Sequence, residues 1–440
     1  MMRPLLMMLL LVAAAPASWA LDNGLARTPP MGFSTWSVFR KNVNESLVRE
    51  LADAMCSSGL AAAGYDYLLV DDGWEGSAPK DCTTCAPNRD KQGRLVVDPV
   101  KFPSGMNETA AYVHSKGLKF GLWFGHSMCA TSNDTQLATP LLDYAALDAE
   151  FFAWAGVDHV KADNCVDVPN TTASIAKNFG HYAALGAAMN KTGRPIAYDV
   201  VLQVAHAREI PAYDYGYLWS PEVYGREAVT ALANSWWSLP VNKYNCWSCC
   251  VAGERIVDDS ACTSPTGRAC RRGLLPMLDT QNMGTPGFSK VGHWDWGGPG
   301  GWNHIDQLAV CIGESWYGPG FTKPEQASQV ALWAVLASPL IVSFDIRSME
   351  PDCKALVMNP RVIAVHQDVL GSPGKPLKNL DVNDTDGSIG AQVWGRVLKG
   401  GGVAAVFFNR GEEARDISAT FSELGLEPGI GGVLATDVWS

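Results

Sequence analysis

The sequence predicts an α/β chain: a (β/α)8 TIM barrel followed by a small C-terminal antiparallel β-sandwich domain. Three observations carry that expectation. Short apolar runs, each closed by polar residues, alternate with amphipathic helical stretches, which is the pattern of βα units. The alternation continues for about 340 residues, a length that suits eight such units. Beyond the turn-rich Gly371-Ser-Pro-Gly-Lys-Pro376, the pattern changes to short β runs with Gly-rich connections. The expected divisions are a leader over 1–20, the barrel over 21–368 and the β domain over 369–440.

The elements follow in order. A strand is expected at Met31-Gly-Phe-Ser-Thr-Trp36 and an amphipathic helix over 45–60. Asp66-Tyr-Leu-Leu-Val70 reads as a continuous apolar strand, closed by Asp71-Asp72-Gly73-Trp74. A helix over 112–116 leads into the strand Lys119-Phe-Gly-Leu-Trp-Phe124. A helix over 141–155 feeds Gly156-Val-Asp-His-Val-Lys-Ala-Asp-Asn-Cys165, a short buried strand that ends abruptly in polar groups. A helix over 173–190 precedes the strand Pro195-Ile-Ala-Tyr-Asp-Val200, and Ala233-Asn-Ser-Trp-Trp237 is the next strand. Gly298-Pro-Gly-Gly-Trp-Asn303 is Gly-rich but lacks the Lys-Ser/Thr ending of a phosphate loop. A helix over 326–337, the strand Leu340-Ile-Val-Ser-Phe344 and a helix over 351–358 complete the barrel. In the β domain, strands are expected over 389–394, 403–408 and 415–421.

The leader has the form of a secretory signal: Arg3, an apolar run from Leu5 to Ala15, and the small-x-small site Ser18-Trp19-Ala20. That run is too short to span a bilayer, and no later stretch is long and apolar enough to do so. The expectation is a secreted or lysosomal/vacuolar glycoprotein with no membrane partner. In such a compartment the 12 Cys are read mostly as disulfides rather than as metal ligands. Six Asn-x-Ser/Thr sequons, at Asn44, Asn107, Asn133, Asn170, Asn190 and Asn383, agree with that route. The net charge of −11 argues against a nucleic-acid partner, since phosphate binding needs clustered Lys and Arg. Sixteen Trp are many; more than half are expected to be core, and the rest could stack on sugar rings.

The polar groups just past the expected strands are Trp36, Asp71 with Asp72, Lys161 with Asp163, and Asp306. A lone Asp after a strand is commonly a helix cap. Several acids converging from separate strands, with Trp among them, suit hydrolysis of a glycosidic bond. One carboxylate attacks the anomeric carbon, a second group protonates the leaving oxygen, and others hold hydroxyls. The carboxyl ends of barrel strands are where such chemistry is placed.

With these blocks the chain resembles glycoside hydrolase family 27, the α-galactosidases and α-N-acetylgalactosaminidases. The resemblance rests on Leu21-Asp-Asn-Gly-Leu-Ala-Arg-Thr-Pro-Pro-Met-Gly, Gly64-Tyr-Asp-Tyr with Asp71-Asp72-Gly-Trp74, and His114-Ser-Lys-Gly-Leu-Lys-Phe-Gly-Leu122. It also rests on Lys161-Ala-Asp-Asn-Cys165, Gly298-Pro-Gly-Gly-Trp-Asn303, Ser338-Pro-Leu340 and Val362-Ile-Ala-Val-His-Gln-Asp-Val-Leu370. It implies a retaining exo-glycosidase that removes terminal α-D-galactose through a covalent glycosyl-enzyme on Asp163, with no cofactor and no metal. Lys161, Asp71 and Asp72 would bind galactose hydroxyls, Trp36 would stack on the ring, and Asp306 matches a second acid of the family. Cys129 and Cys165 stand at the positions of a disulfide that anchors the nucleophile loop. The implied partner is an α-galactose-terminated oligosaccharide or glycoconjugate, and a homodimer is left open.

Departures cluster on one arm. In Asn234-Ser-Trp-Trp237-Ser-Leu-Pro-Val241, the family's sugar-binding Arg is Trp237 and its acid/base Asp is Val241. His304 replaces the first Asp of the family's Trp-Asn-Asp-Pro-Asp block. A substitute proton donor is therefore sought among Glu222, Glu227, Asp258, Asp259 and His304, with Glu222 the first choice because it follows Trp219 on a rim turn. Loss of general acid help typically costs 10²–10⁴-fold, so the alternative is a galactose-binding protein without turnover. α-N-acetylgalactosaminidase and β-L-arabinopyranosidase activities are the related readings. The chain stops at Thr436-Asp-Val-Trp-Ser440, where family members usually continue, so a short or incomplete β module is expected.

Overall fold

The computed structural model describes residues 23–81, 88–126, 144–164, 172–201, 226–237, 274–281, 294–313, 320–382, 389–411, 413–427 and 432–440. Its first eight strands are β1 Met31–Ser34, β2 Tyr67–Val70, β3 Lys119–His126, β4 His159–Asn164, β5 Ala197–Val200, β6 Ser235–Trp237, β7 Trp302–His304 and β8 Leu340–Val342. They form one parallel sheet in which β1 through β7 follow in chain order and β8 returns to lie beside β1. The remaining gap is closed by Leu308, just past β7, whose N–H donates to Ile341 O at 2.8 Å and which bridges Val342 in parallel. Parallel strands covered on both faces read as continuous apolar runs, which is why most of them were legible.

The helices wrap the outside. They are α1 Trp36–Phe39, α2 Glu45–Ser58, α3 Met106–Ser115, α4 Ala145–Ala155, α5 Thr172–Lys191, α6 Arg226–Leu232, α7 Leu274–Gln281, α8 Lys323–Leu336, α9 Pro351–Val357 and α10 Pro360–His366. Their ends carry ordinary start and stop signals. The Asn44 side chain accepts the Leu47 N–H at the start of α2, and Gly59 ends it with φ +92°. Thr322 and Glu325 form a capping box at α8. Met31, Leu68, Val160 and Ala162 face these helices in the main core, together with Trp74, Trp236, Trp333 and Trp394, each buried. A second, small apolar cluster of Tyr67, Leu69 and Ile341 fills part of the barrel lumen. Gly121 makes room there: a Cβ on it would lie 2.4 Å from Leu69 Cδ2.

After α10 the chain enters a three-stranded antiparallel sheet, β9 Lys375–Val382, β10 Ile389–Val397 and β11 Val403–Asn409. The strands expected over 389–394 and 403–408 lie within β10 and β11, but 415–421 is not a strand and β9 takes the third place instead. Arg415 is drawn by its side chain to Asp381 of β9, at 2.7 Å, and its segment adds no backbone ladder to the sheet. The buried Arg396 of β10 binds back onto the barrel. Its Nη1 donates to the carbonyls of Ala334, Val365 and His366 at 2.9, 2.7 and 3.0 Å, and its Nε to Ser372 O at 2.9 Å. A disulfide joins Cys311, beyond β7, to Cys353 of α9. Cys56 is a free, exposed thiol on α2.

Candidate active site

Alternation along β4 builds the site. Val160 and Ala162 turn outward into the core, so His159, Lys161 and Asp163 turn into the lumen. Lys161 Nζ donates to Asp71 Oδ2 at 3.0 Å, reaching across β3 to the end of β2, and lies 4.4 Å from the centre of the Trp237 ring. Burial alone would drive the Lys161 proton off, but Asp71, Asp163 and Asp199 together hold its pKa above the usual lysine value. Asp163 Oδ2 accepts the Trp123 indole N–H at 3.0 Å, and Trp123 O in turn accepts the Trp74 indole N–H at 2.8 Å.

The Asp71-Asp72-Gly73-Trp74 turn is fixed from both sides. Asp71 N–H donates to Thr35 Oγ1 at 2.9 Å, and Asp72 N–H to Asp71 Oδ1 at 2.9 Å. Asp72 pairs with the exposed Lys41 at 3.0 Å. Burial, helped by the charge of Asp71, pushes Asp72 up despite that pairing. Gly73 has φ +108°, and a Cβ there would sit 2.7 Å from Lys41 Cα. Lys101 Nζ ties the two loops by donating to Lys41 O and Gly73 O at 2.9 and 2.7 Å. Beside them, burial first and the Asp72 charge second push the Glu75 carboxyl up to about 8.

On the far wall is a group whose acid lies within a strand rather than past its end. Asp199 of β5 is buried at 1% exposure; its Oδ1 accepts Ser235 Oγ–H at 2.7 Å and its Oδ2 the Trp237 indole N–H at 2.7 Å. His304 Nδ1 of β7 lies 3.3 Å from the same Oδ2. Burial would raise Asp199, but His304, His159 and Ser235 outweigh it and hold the carboxyl well below the usual range. His159 is driven down to about 4, mainly by burial. A partly enclosed space has Asp71, Trp123, Lys161, Asp199, Trp237 and His304 in its wall.

The expected site residues therefore separate into groups. Asp71, Lys161 and Asp163 come together, directly or through Trp123, and Asp72 adjoins them. Trp36 is half-buried on α1 and has the Arg40 guanidinium 5.6 Å from its ring centre. Asp306 is buried with φ +81°, its Oδ1 accepting the Gln307 N–H at 2.6 Å and its carbonyl the Trp333 indole N–H at 2.8 Å; the neighbouring Gln307, not Asp306, lines the cavity. Among the proposed proton donors, Glu227 is exposed on α6, while Glu222, Asp258 and Asp259 lie outside the described residues, as do Cys129 and Cys165. Asp199 was not singled out; an acid at the inward-facing position of a buried strand was the available signal.

Comparison with known proteins agrees with this architecture. The family model for alpha galactosidase A matches residues 28–240 and 292–368, and the alpha galactosidase C-terminal beta sandwich domain matches 388–440. The alpha-galactosidase of Coffea arabica is 36% identical over 420 residues, covering 96% of this chain and 89% of the relative. That of Cyamopsis tetragonoloba is 32% identical over 421 residues, covering 95% and 81%. The structure of the Saccharomyces cerevisiae alpha-galactosidase with raffinose superposes with a TM-score of 0.68 at 26% identity, covering 94% of this chain and 80% of that one. With matching models over most of its length and relatives above 30% identity, the chain belongs to the alpha-galactosidase family of glycoside hydrolases.

Proposed function

We propose that the protein is a retaining exo-glycosidase for terminal α-D-galactosides, with Asp163 as the nucleophile. The observation that carries this reading is the Lys161–Asp71 pair beside Asp163 at the mouth of the barrel. The Lys161 ammonium lies among Asp71, Asp163 and Asp199, and its charge offsets the repulsion between those acids. An ionised carboxylate is what attack on an anomeric carbon requires. Asp163 displaces the leaving oxygen to give a glycosyl ester, and water then displaces Asp163, so that two inversions give net retention. Trp123 fixes one oxygen of the nucleophile by its indole N–H. Asp71, Asp72 and Lys161 offer acceptors and a donor for the hydroxyls of the sugar, and Trp36 offers it an aromatic face. Raffinose, held by the Saccharomyces relative, exemplifies the substrate class: a galactose α-linked to a further sugar. The Cys311–Cys353 disulfide supports an oxidising, secretory address.

The test is turnover of an aryl α-galactoside and of melibiose by the whole protein, with a 2-fluoro-galactosyl fluoride used to trap the ester. The expected result is release of α-galactose and a mass increase on the peptide that contains Asp163, both lost in Asp163→Asn. Binding of galactose with no turnover of either substrate would instead identify a lectin-like protein on the same scaffold. Unchanged turnover in Asp163→Asn would remove Asp163 from the role.

A further inference from the structure

We propose that His304, oriented by Asp199, delivers the proton to the departing glycosidic oxygen and later takes one from water. The proposal rests on the retaining reading of Asp163 and names the acid/base partner that this reading lacks.

Four observations converge on His304. By the strand registers, Lys161, Asp199, Ser235 and Trp302 form one row across β4 to β7. Asp163, Trp237 and His304 each lie two residues further along their own strands. The nucleophile and the imidazole thus each stand at the inward-facing position next beyond that row, on β4 and on β7. Second, Asp199 is committed to orientation: one oxygen takes the Ser235 hydroxyl, and the other takes the Trp237 indole N–H and faces His304 Nδ1. A carboxylate at Nδ1 places a hydrogen there and leaves Nε2 as the working atom. Third, His304 Nε2 is buried and has no hydrogen-bond partner among the described residues, although the side chain is only 4% exposed. A ring nitrogen left so, at the wall of a cavity, is available to a ligand oxygen. Fourth, His304 and Asp199 share the cavity wall with Lys161 and Asp71, the groups expected to hold the sugar.

The titratable groups that face the imidazole are Asp199, His159, Lys161 and Asp71. Asp199 stays ionised next to it, and the nearby His159, driven down to about 4, adds no positive charge near neutral pH. Lys161 and Asp71 lie on the same cavity wall and form an ion pair with each other. Trp237 stands in contact with the His304 ring and the Lys161 ammonium: its ring centre is 4.2 Å from that of His304 and 4.4 Å from Lys161 Nζ. An aromatic face stabilises a neighbouring cation, so the Trp at this position is compatible with an imidazolium where an Arg would repel it.

The proton count closes. In the first half-reaction the bond from the anomeric carbon to the leaving oxygen breaks as an Asp163 oxygen bonds to that carbon. The Nε2–H of the imidazolium passes to the leaving oxygen, giving an alcohol and neutral imidazole. In the second half-reaction, neutral Nε2 takes a proton from water as the water oxygen bonds to the anomeric carbon. The ester to Asp163 breaks, restoring carboxylate and imidazolium. Asp199 touches no reacting atom and is a positioning residue.

The experiment compares His304→Gln and Asp199→Asn with the unaltered full chain on nitrophenyl α-galactoside and on melibiose, with and without sodium azide. The nitrophenolate leaves without a proton; the sugar alkoxide does not. In His304→Gln, kcat/KM on melibiose is expected to fall by roughly 10²–10⁴. On the aryl substrate kcat/KM should stay within about tenfold, because that first step needs little acid help. Azide should then accelerate aryl turnover and yield α-galactosyl azide, a product that an unfolded enzyme cannot make. In Asp199→Asn, the alkaline limb of the pH profile should move to lower pH. Equal losses on both substrates, or no galactosyl azide, would overturn the role and leave the pair structural. Should His304→Gln lose its cooperative unfolding transition, the aryl–melibiose contrast is read on Asp199→Asn, where equal loss on both substrates has the same meaning. Failure of the underlying reading looks different: the unaltered chain would turn over neither galactoside and would carry no trapped ester on Asp163.

Discussion

The Lys161 ammonium of β4 donates to the Asp71 carboxylate at the end of β2 over 3.0 Å, crossing an intervening strand inside the barrel. Both side chains are nearly buried, at 12% and 5% exposure, so the pair is little screened and each partner depends on the other. Removing the cation leaves three carboxylates facing one another. Lys161→Met is therefore expected to lose about 2–4 kcal/mol of stability and all measurable galactoside turnover. Adding Asp71→Asn should return part of the stability but none of the activity, with a coupling above about 1 kcal/mol in a double-mutant cycle followed by urea denaturation.

Trp123 donates to Asp163, the proposed nucleophile, from the neighbouring strand. A hydrogen bond to an ionised group contributes about 1.5–3 kcal/mol. In the second half of the proposed reaction this donor would help the Asp163 carboxylate to leave the sugar. Trp123→Phe should lower kcat about tenfold or more, and should let the glycosyl ester accumulate in quenched samples. Intact-protein mass spectrometry reads that accumulation directly; an unchanged kcat would show that the indole N–H is only structural.

Gly73 is required by geometry. Its backbone is left-handed, and any Cβ would press into the Lys41 backbone. Gly73→Ala should cost roughly 1–3 kcal/mol of stability and raise KM by displacing the adjoining Asp72. The paired readouts are thermal unfolding and initial rates against aryl galactoside concentration.

Glu75 supplies a pH dependence whose sign can be worked out. Its pKa is raised from 4.5 to about 8, so the folded chain binds this proton more tightly than the unfolded chain does. Its contribution is fully present below about 4.5 and is lost as pH rises through about 8. The unfolding temperature should thus decline over that interval, and Glu75→Gln should flatten the decline. A Glu75→Gln curve parallel to the original would place the ionisation elsewhere.

The barrel was legible where burial on both faces imposed a long apolar run. Tyr67–Val70 and Leu340–Val342 are such cases, and the polar break after β2 points to Asp71. β7 was not legible, because its three residues, Trp302–His304, end a Gly-rich stretch and two of them are polar. Asp199 escaped for a related reason. A polar break marks an acid past a strand end, whereas this acid sits within its strand, where only its inward parity and its partners on β6 and β7 reveal a role. Trp237 could be read as the loss of an arginine; its contact with Lys161 depends on the closing of the barrel, which no local pattern reports. The segment 415–421 carries strand-like residues, yet a strand needs a neighbour's free edge, and Arg415 is engaged sideways instead.

Arg396 has a consequence for how the molecule comes apart. Its guanidinium supplies donors to the carboxyl ends of α8 and α10 in an interface closed to water. If the small sheet peeled away by itself, three carbonyls would be stripped of their donor while the apolar surface around them was laid bare. Barrel and sheet should consequently melt as a single cooperative body, with one endotherm in calorimetry. A protease that nicks the connection near residue 372 should leave the two pieces clinging together rather than free a shorter enzyme.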